Sequence, residues 1–386
     1  MSRRLLNLIA ALVLISATAR GASLEAEMKA VEKLRGLTFA RPVVSKTITR
    51  EELPKVLRVQ MEKSLPYSAD DYALILRALQ LVDDDTTDLV GKMLDLYESQ
   101  VLAFYDPLTH TYFAIDRLPT AAAGIADSEM LRQSVVIHEL THALQDQRFQ
   151  AGARDLALQK DTDGSMAFHA LMEGEATLVM LDYLLDGAGQ KLDDVLANEQ
   201  MLSLLSSSLN ADKTIDASTP KYFAESLKFP YAEGLKIVID GYKRGGWKMI
   251  DKMNENPPRS TREVLHPTEY FGRLASGKTA TPFDNKSPLP NTLTVEHVGE
   301  FHWRFLVGNA SSGWVDDRVI VAQNAHCDPT VLVDTTWENA NRARSFRDAY
   351  DAFLLDRGLQ PRIALEGARV RVAYGADTKL MESFIR

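Results

Sequence analysis

The chain holds one cysteine, Cys327, in 386 residues. A lone cysteine can neither close an internal disulfide nor build a thiolate metal site. Long basic runs are missing as well: Lys and Arg number 44 against 53 Asp and Glu, for a formal charge of −9. That acidic balance argues against nucleic acid as the main partner. Beyond the first two dozen residues, no apolar stretch approaches the roughly 20 residues a bilayer span requires. Internal repeats and low-complexity tracts are absent too. What is present is globular, with 45% hydrophobic and 25% charged residues, which excludes a disordered or fibrous chain. The length suits two or three units, or one large decorated unit.

The N-terminus is the exception to the missing apolar runs. Arg3 and Arg4 precede the eleven-residue stretch Leu5–Ile15, and Ala17-Thr18-Ala19 offers small residues at cleavage spacing. This pattern reads as a secretory signal peptide over residues 1–23. No cysteine lies near the cleavage region, so lipoprotein processing is excluded. The expectation is an exported protein, periplasmic or extracellular, with no stable membrane insertion after signal cleavage.

Periodicity predicts helices at Leu24–Arg35, Arg50–Ser64, Ala69–Leu81 and Thr87–Gln100, with a β-prone run at Phe39–Thr49. Val101–Ile115 reads as a hairpin around the turn Asp106-Pro107-Leu108-Thr109. After a small-residue loop at Ala121–Gly124, Ser128 caps a long helix from Glu129 to Gln150. Further helices are expected at Asp163–Leu185, Leu192–Leu209 and from Tyr222 to about Met253. The Pro-rich stretch Ser276–Pro290 reads as a linker or long loop. Beyond it come a helix near Val295–Leu306, strands at Arg318–Ala322 and Val331–Asp334, a helix at Glu338–Leu355 and a strand at Arg369–Tyr374. Residues 291–386 should therefore form a small α/β module.

The chemistry concentrates in VVIHELTHALQDQ. His138 and His142 stand at i and i+4, on one face of a helix, so both imidazoles can address one ion. Glu139 lies about 100° round the helix, near enough to a metal-bound water to act on it without being a ligand. A third ligand must come from elsewhere. The stretch Ala170-Leu171-Met172-Glu173-Gly174-Glu175-Ala176 puts two acids on an apolar helix, where an unpaired carboxylate costs several kcal/mol. Helical geometry alone does not choose between Glu173 and Glu175. His169, one turn before Glu173, is a rival ligand or more simply a packing histidine. Asp146, one turn after His142, either orients an imidazole or faces solvent. His110, His297, His302 and His326 have no partner in the sequence.

HELTHALQDQ followed by ALMEGEATLVM resembles the gluzincin zinc metallopeptidases, and in particular peptidase-MA-like exported bacterial proteins. The resemblance extends over about residues 35–275, through VLAFYDPLT upstream and FPYAEG and PPRSTREVLHPTEY downstream. It implies an α+β, mostly helical zincin-type fold with a small sheet over residues 24–275. It further implies a zinc ion held by His138, His142 and Glu173, since the Glu before Gly binds zinc in the similar ligand helix of clan aminopeptidases. Met172 stands where many of those carry Asn, and no G-x-M-E-N sequence is present, which weakens an aminopeptidase reading. Such a ligand set acidifies bound water from a pKa of about 15.7 towards 7. Glu139 would take its proton and return it to the leaving amine. Tyr231 and His266 match the Tyr or His that clan relatives aim at the oxyanion, and Val101–Tyr105 or Thr111–Ile115 would be the edge strand that holds a peptide or protein substrate. The expected function is zinc-dependent peptide hydrolysis. The alternatives are a non-catalytic zincin-fold interaction or scaffold protein and a cell-wall peptide amidase.

Overall fold

The computed structural model describes residues 24–386 apart from 66, 84–86, 118–128, 199, 201–214, 217 and 280–281. The expected signal peptide, the loop at 121–124, the Ser128 cap and stretch 201–209 of the expected helix 192–209 lie outside the described residues. The fold is α+β, mainly helical, with one sheet of three strands and one of five. Two compact units divide the chain. The first runs to Lys63 and resumes over Gly91–Leu156 and Phe168–Pro257; the second comprises Ser64–Val90, Ala157–Ala167 and Pro258–Arg386.

In the first unit, helix α1 (Glu25–Arg35) carries acids in its first turn and Lys33 and Arg35 in its last, which suits the helix dipole, and stops at left-handed Gly36. Strand β1 (Val44–Ile48) runs parallel to β3 (Thr111–Ile115), and β2 (Ala103–Asp106) runs antiparallel to it. The order is β1-β3-β2. Thr111–Ile115, one of the two expected substrate edges, is therefore the central strand, because β1 pairs residue for residue along its far side. β2 is an edge. The Asp106 carboxylate accepts from Leu108 N–H at 2.9 Å and Thr109 Oγ1 at 2.6 Å, which closes the hairpin turn.

Helix α2 (Glu129–Phe149) buries Ile137, Leu140 and Leu144 against Val31, Tyr112, Ala114 and Val179. Each such side chain contributes about 1.5–3 kcal/mol. Helix α3 (Thr162–Gly187) is apolar nearly all round, so its polar residues stand out. Helix α4 (Lys221–Gly245) holds Pro230 in its interior, and Gly246 at φ 61° separates it from α5 (Trp247–Glu255). α3 and α4 cross at two glycines. A methyl on Gly174 would overlap the Gly234 backbone, and one on Gly234 would overlap the Ala170 backbone.

The second unit centres on an antiparallel sheet of β4 (Thr292–Glu296), β5 (Trp314–Gln323), β6 (Pro329–Trp337), β7 (Arg362–Glu366) and β8 (Arg369–Gly375), in the order β4-β5-β6-β8-β7. The helix expected near Val295–Leu306 begins only at Gly299, where φ is 82°. The β-branched residues Thr292, Thr294 and Val295 pair with β5 instead. Strand β7 and a terminal helix, Thr378–Ile385, were not anticipated. Met381, Leu380, Phe283 and Leu289 cover one face of the sheet, on Ile320, Leu332 and Ala373. By strand alternation Trp337 faces the other way, stacked on Phe346 with ring centroids 4.4 Å apart.

This unit begins at Pro258, and the two earlier segments complete it. Tyr67 donates its hydroxyl to Glu296 at 2.6 Å, Tyr374 donates to the Ala78 carbonyl at 3.0 Å, and Asp163 Oδ1 accepts from Thr261 N–H at 3.0 Å. The division differs from the chain-order boundaries expected at 275 and 291, since those segments close its core.

Candidate metal centre

Helix α2 and the first-unit part of α3 bring three donor atoms together. His138 Nε2 lies 3.1 Å from Glu173 Oε2 and 3.2 Å from His142 Nε2, and His142 Nε2 lies 3.5 Å from Glu173 Oε2. Among the described residues this is the group of His, Cys, Asp and Glu side chains whose donor atoms converge closely enough to share an ion. The triangle can be tested against zinc. Ligand bonds of about 2.0–2.1 Å in a tetrahedron place donor atoms roughly 3.3–3.4 Å apart. The three observed edges bracket that value, and two imidazoles with one carboxylate are a donor set suited to zinc. The residues fit the ion.

Electrostatics keep the three candidate ligands in usable states. Burial pushes the Glu173 carboxyl up, but the neighbouring His142 and His138 outweigh it and hold the pKa well below the usual range. Glu173 therefore stays anionic. Burial pushes His142 down, Glu173 pulls it up, and the net is a rise to about 9. A proton thus occupies the donor cluster when no cation does.

Glu139 is fixed from the sheet side. Its Oε2 accepts the Tyr105 backbone N–H of β2 at 2.9 Å. Burial raises its pKa, while His138 and His142 oppose the rise. Tyr231, in the first unit with the three ligands, has its ring centroid 6.3 Å from that of His138, and its hydroxyl bonds to Glu173. Burial and then the charges of Glu173 and Glu139 push its pKa well up, so it remains an O–H donor. His266 belongs to the second unit. Its Nε2 sits 3.0 Å from both carboxylate oxygens of Glu300.

The two acids of α3 have separate fates. Glu175 is 1% exposed and saturated by other partners: Arg35 Nε at 2.7 Å, Asn254 Nδ2 at 2.7 Å and Gln145 Nε2 at 3.0 Å. His169 pairs with Asp155 at 2.7 Å. Asp146 is buried, with Tyr105 Oη and Gly152 N–H donating to it and His110 Nδ1 at 2.9 Å. It ties the hairpin to α2 and does not orient His142. That task falls to Gln145, whose Oε1 is 2.9 Å from His142 Nδ1. The i+3 spacing from His142 was the signal for Gln145. Arg35 and Asn254 gave none, being distant in the chain. In the second unit His297 finds Asp161 at 2.9 Å.

Residues 289–380 match the model of a family described as a domain of unknown function, DUF8575. The match runs from just before β4 into the terminal helix and touches none of the residues of the candidate metal centre. No curated protein and no solved structure matches the chain.

Proposed function

We propose that the protein is a zinc-dependent peptidase of the gluzincin type with a zincin-like first unit, acting on peptide or protein substrates outside the cytoplasm. The observation that carries the proposal is the convergence of His138, His142 and Glu173, with Glu139 held beside them by the Tyr105 amide. Export rests on the sequence of residues 1–23.

A zinc ion in this ligand set supplies Lewis-acid polarisation of a carbonyl and acidification of a water. The chain's own groups do the rest. Glu139, with its proton affinity raised by burial, accepts a proton from water at its carboxylate and delivers it to the leaving amine nitrogen. Tyr231 keeps its phenolic proton and, turning it from Glu173 to the developing oxyanion, donates a hydrogen bond worth about 3 kcal/mol in comparable sites. Since Tyr105 N–H points away from β3 to reach Glu139, the peptide groups of Ala103 and Tyr105 share that open direction. An extended substrate backbone pairs along β2 with the N–H and carbonyl of Ala103 and the carbonyl of Tyr105.

The test is metal content and hydrolysis measured together on the purified protein lacking residues 1–23. One zinc per chain and cleavage of unfolded protein, both lost on chelation and restored by zinc, are expected. A protein with no stoichiometric zinc and no cleavage on adding zinc overturns the proposal.

A further inference from the structure

Helix α2 carries a side chain whose donors and acceptors are all spoken for. Gln145 Nε2 lies 3.1 Å from the Met172 carbonyl and 3.0 Å from Glu175 Oε2. Both partners accept: one is a carbonyl, and the other belongs to the Glu175 carboxylate, whose Oε1 takes the Arg35 Nε–H at 2.7 Å. Gln145 must therefore present its NH2 to them and its Oε1 to His142 Nδ1, 2.9 Å away. An amide oxygen only accepts, so His142 Nδ1 carries a proton, and whenever the ring is neutral the lone pair is on Nε2. That Nε2 is the atom facing His138 Nε2 and Glu173 Oε2.

We infer that Arg35, Glu175 and Gln145 form a positioning relay that dictates the tautomer and ring orientation of His142, so that Nε2 is offered to the cation in advance. This rests on the zinc reading of the site. The relay also reaches the second ligand helix, since the Met172 carbonyl precedes Glu173 in the chain. Asn254 Nδ2, 2.7 Å from Glu175 Oε2 and 3.0 Å from the Ile250 carbonyl, is the second donor to that oxygen. A Gln in this role replaces the carboxylate or carbonyl that commonly accepts the outer N–H of a ligating histidine. The carboxylate is displaced by one bond pair and acts through the amide. His138 has no counterpart: its Nδ1 is buried and meets no hydrogen-bond partner among the described residues. The two histidines thus differ: the His142 ring is held through its Nδ1, and the His138 ring is not.

The experiment is a double-mutant cycle read by zinc affinity, with zinc alone as the probe and a chelator as competitor. Gln145→Met, which fills the volume without hydrogen bonds, is expected to weaken zinc about 10–100-fold. Glu175→Gln removes what forbids the flipped amide and is expected to weaken zinc less, by a few-fold. If Glu175 acts on His142 through Gln145, adding Glu175→Gln to Gln145→Met causes no further loss. Wild-type affinity in Gln145→Met, or two losses that multiply, overturns the relay. Should Gln145→Met not fold, the wild type decides. Its zinc-loaded form must show a slowly exchanging His142 Nδ1–H by NMR with a cross-peak to the Gln145 side chain, and the absence of that proton refutes the inference. A wild type that takes up no zinc overturns both proposals, while one that binds zinc without cleaving peptides overturns the peptidase alone.

Discussion

Gly174 and Gly234 meet backbone to backbone where α3 crosses α4, and no other residue type fits at either position. The crossing sets the distance between Glu173, next to the first glycine, and Tyr231, three residues before the second. Gly174→Ala must push the helices apart, at about 1–3 kcal/mol or more for overpacking. Denaturant unfolding should register the loss, and the Tyr231 hydroxyl should no longer reach Glu173. An alanine variant as stable as wild type would show that the helices part without strain.

Glu139→Gln should leave zinc bound, because the residue is no ligand, and keep the bond from the Tyr105 amide. Hydrolysis should fall by at least about 10²–10⁴, since an amide cannot accept the proton. Zinc content and turnover of the same preparation check both halves. Retained turnover would remove Glu139 from the mechanism.

Glu173→Gln and Glu175→Gln should separate cleanly. The first removes an anionic ligand, and dialysed protein should come out without zinc. The second should retain zinc near stoichiometry but lose about 1–3 kcal/mol of stability, because the buried Arg35 guanidinium keeps Asp251 alone as a carboxylate partner. Zinc lost from the second variant and kept by the first would reverse the ligand assignment.

Tyr231→Phe deletes one hydroxyl. Turnover should drop by about 10²–10³ with KM and zinc content unchanged. His266→Asn should leave turnover near wild type, as its imidazole is engaged by Glu300. A large kcat effect from His266→Asn and none from Tyr231→Phe would exchange their roles.

The response to pH follows from His142. Its pKa in the metal-free fold is raised from 6.5 to about 9, burial lowering it and Glu173 raising it by more. A base raised on folding contributes stability that is complete below pH 6.5 and is lost as pH climbs through about 9. Proton and zinc compete for the same Nε2. The rise in melting temperature on adding zinc to chelator-treated protein should therefore be smaller at pH 6.5 than at 8.5. Equal shifts at the two values would mean that the ion does not displace that proton.

The motif helix was legible because i, i+4 spacing fixes which side chains share a face, whatever the rest of the chain does. The hairpin was legible through the Asp106-Pro107 turn. The choice between Glu173 and Glu175 was not, because what saturates Glu175 comes from Arg35 and Asn254, 140 and 79 residues away. Thr292–Glu296 was hidden for a related reason. Its β-branched residues sit directly before a true helix, and only pairing with β5 divides the two at Gly299. Strand β7 is a five-residue edge with a partly exposed burial pattern, too weak a pattern to announce itself.

The second unit borrows Ser64–Val90 and Ala157–Ala167 from the first half of the chain. The stretch that the family model recognises is consequently not a detachable cassette. Transplanted alone, residues 289–380 would leave behind the Tyr67 hydroxyl that serves Glu296 and the Ala78 carbonyl that serves Tyr374. A truncation placed at residue 289 cuts through one compact unit.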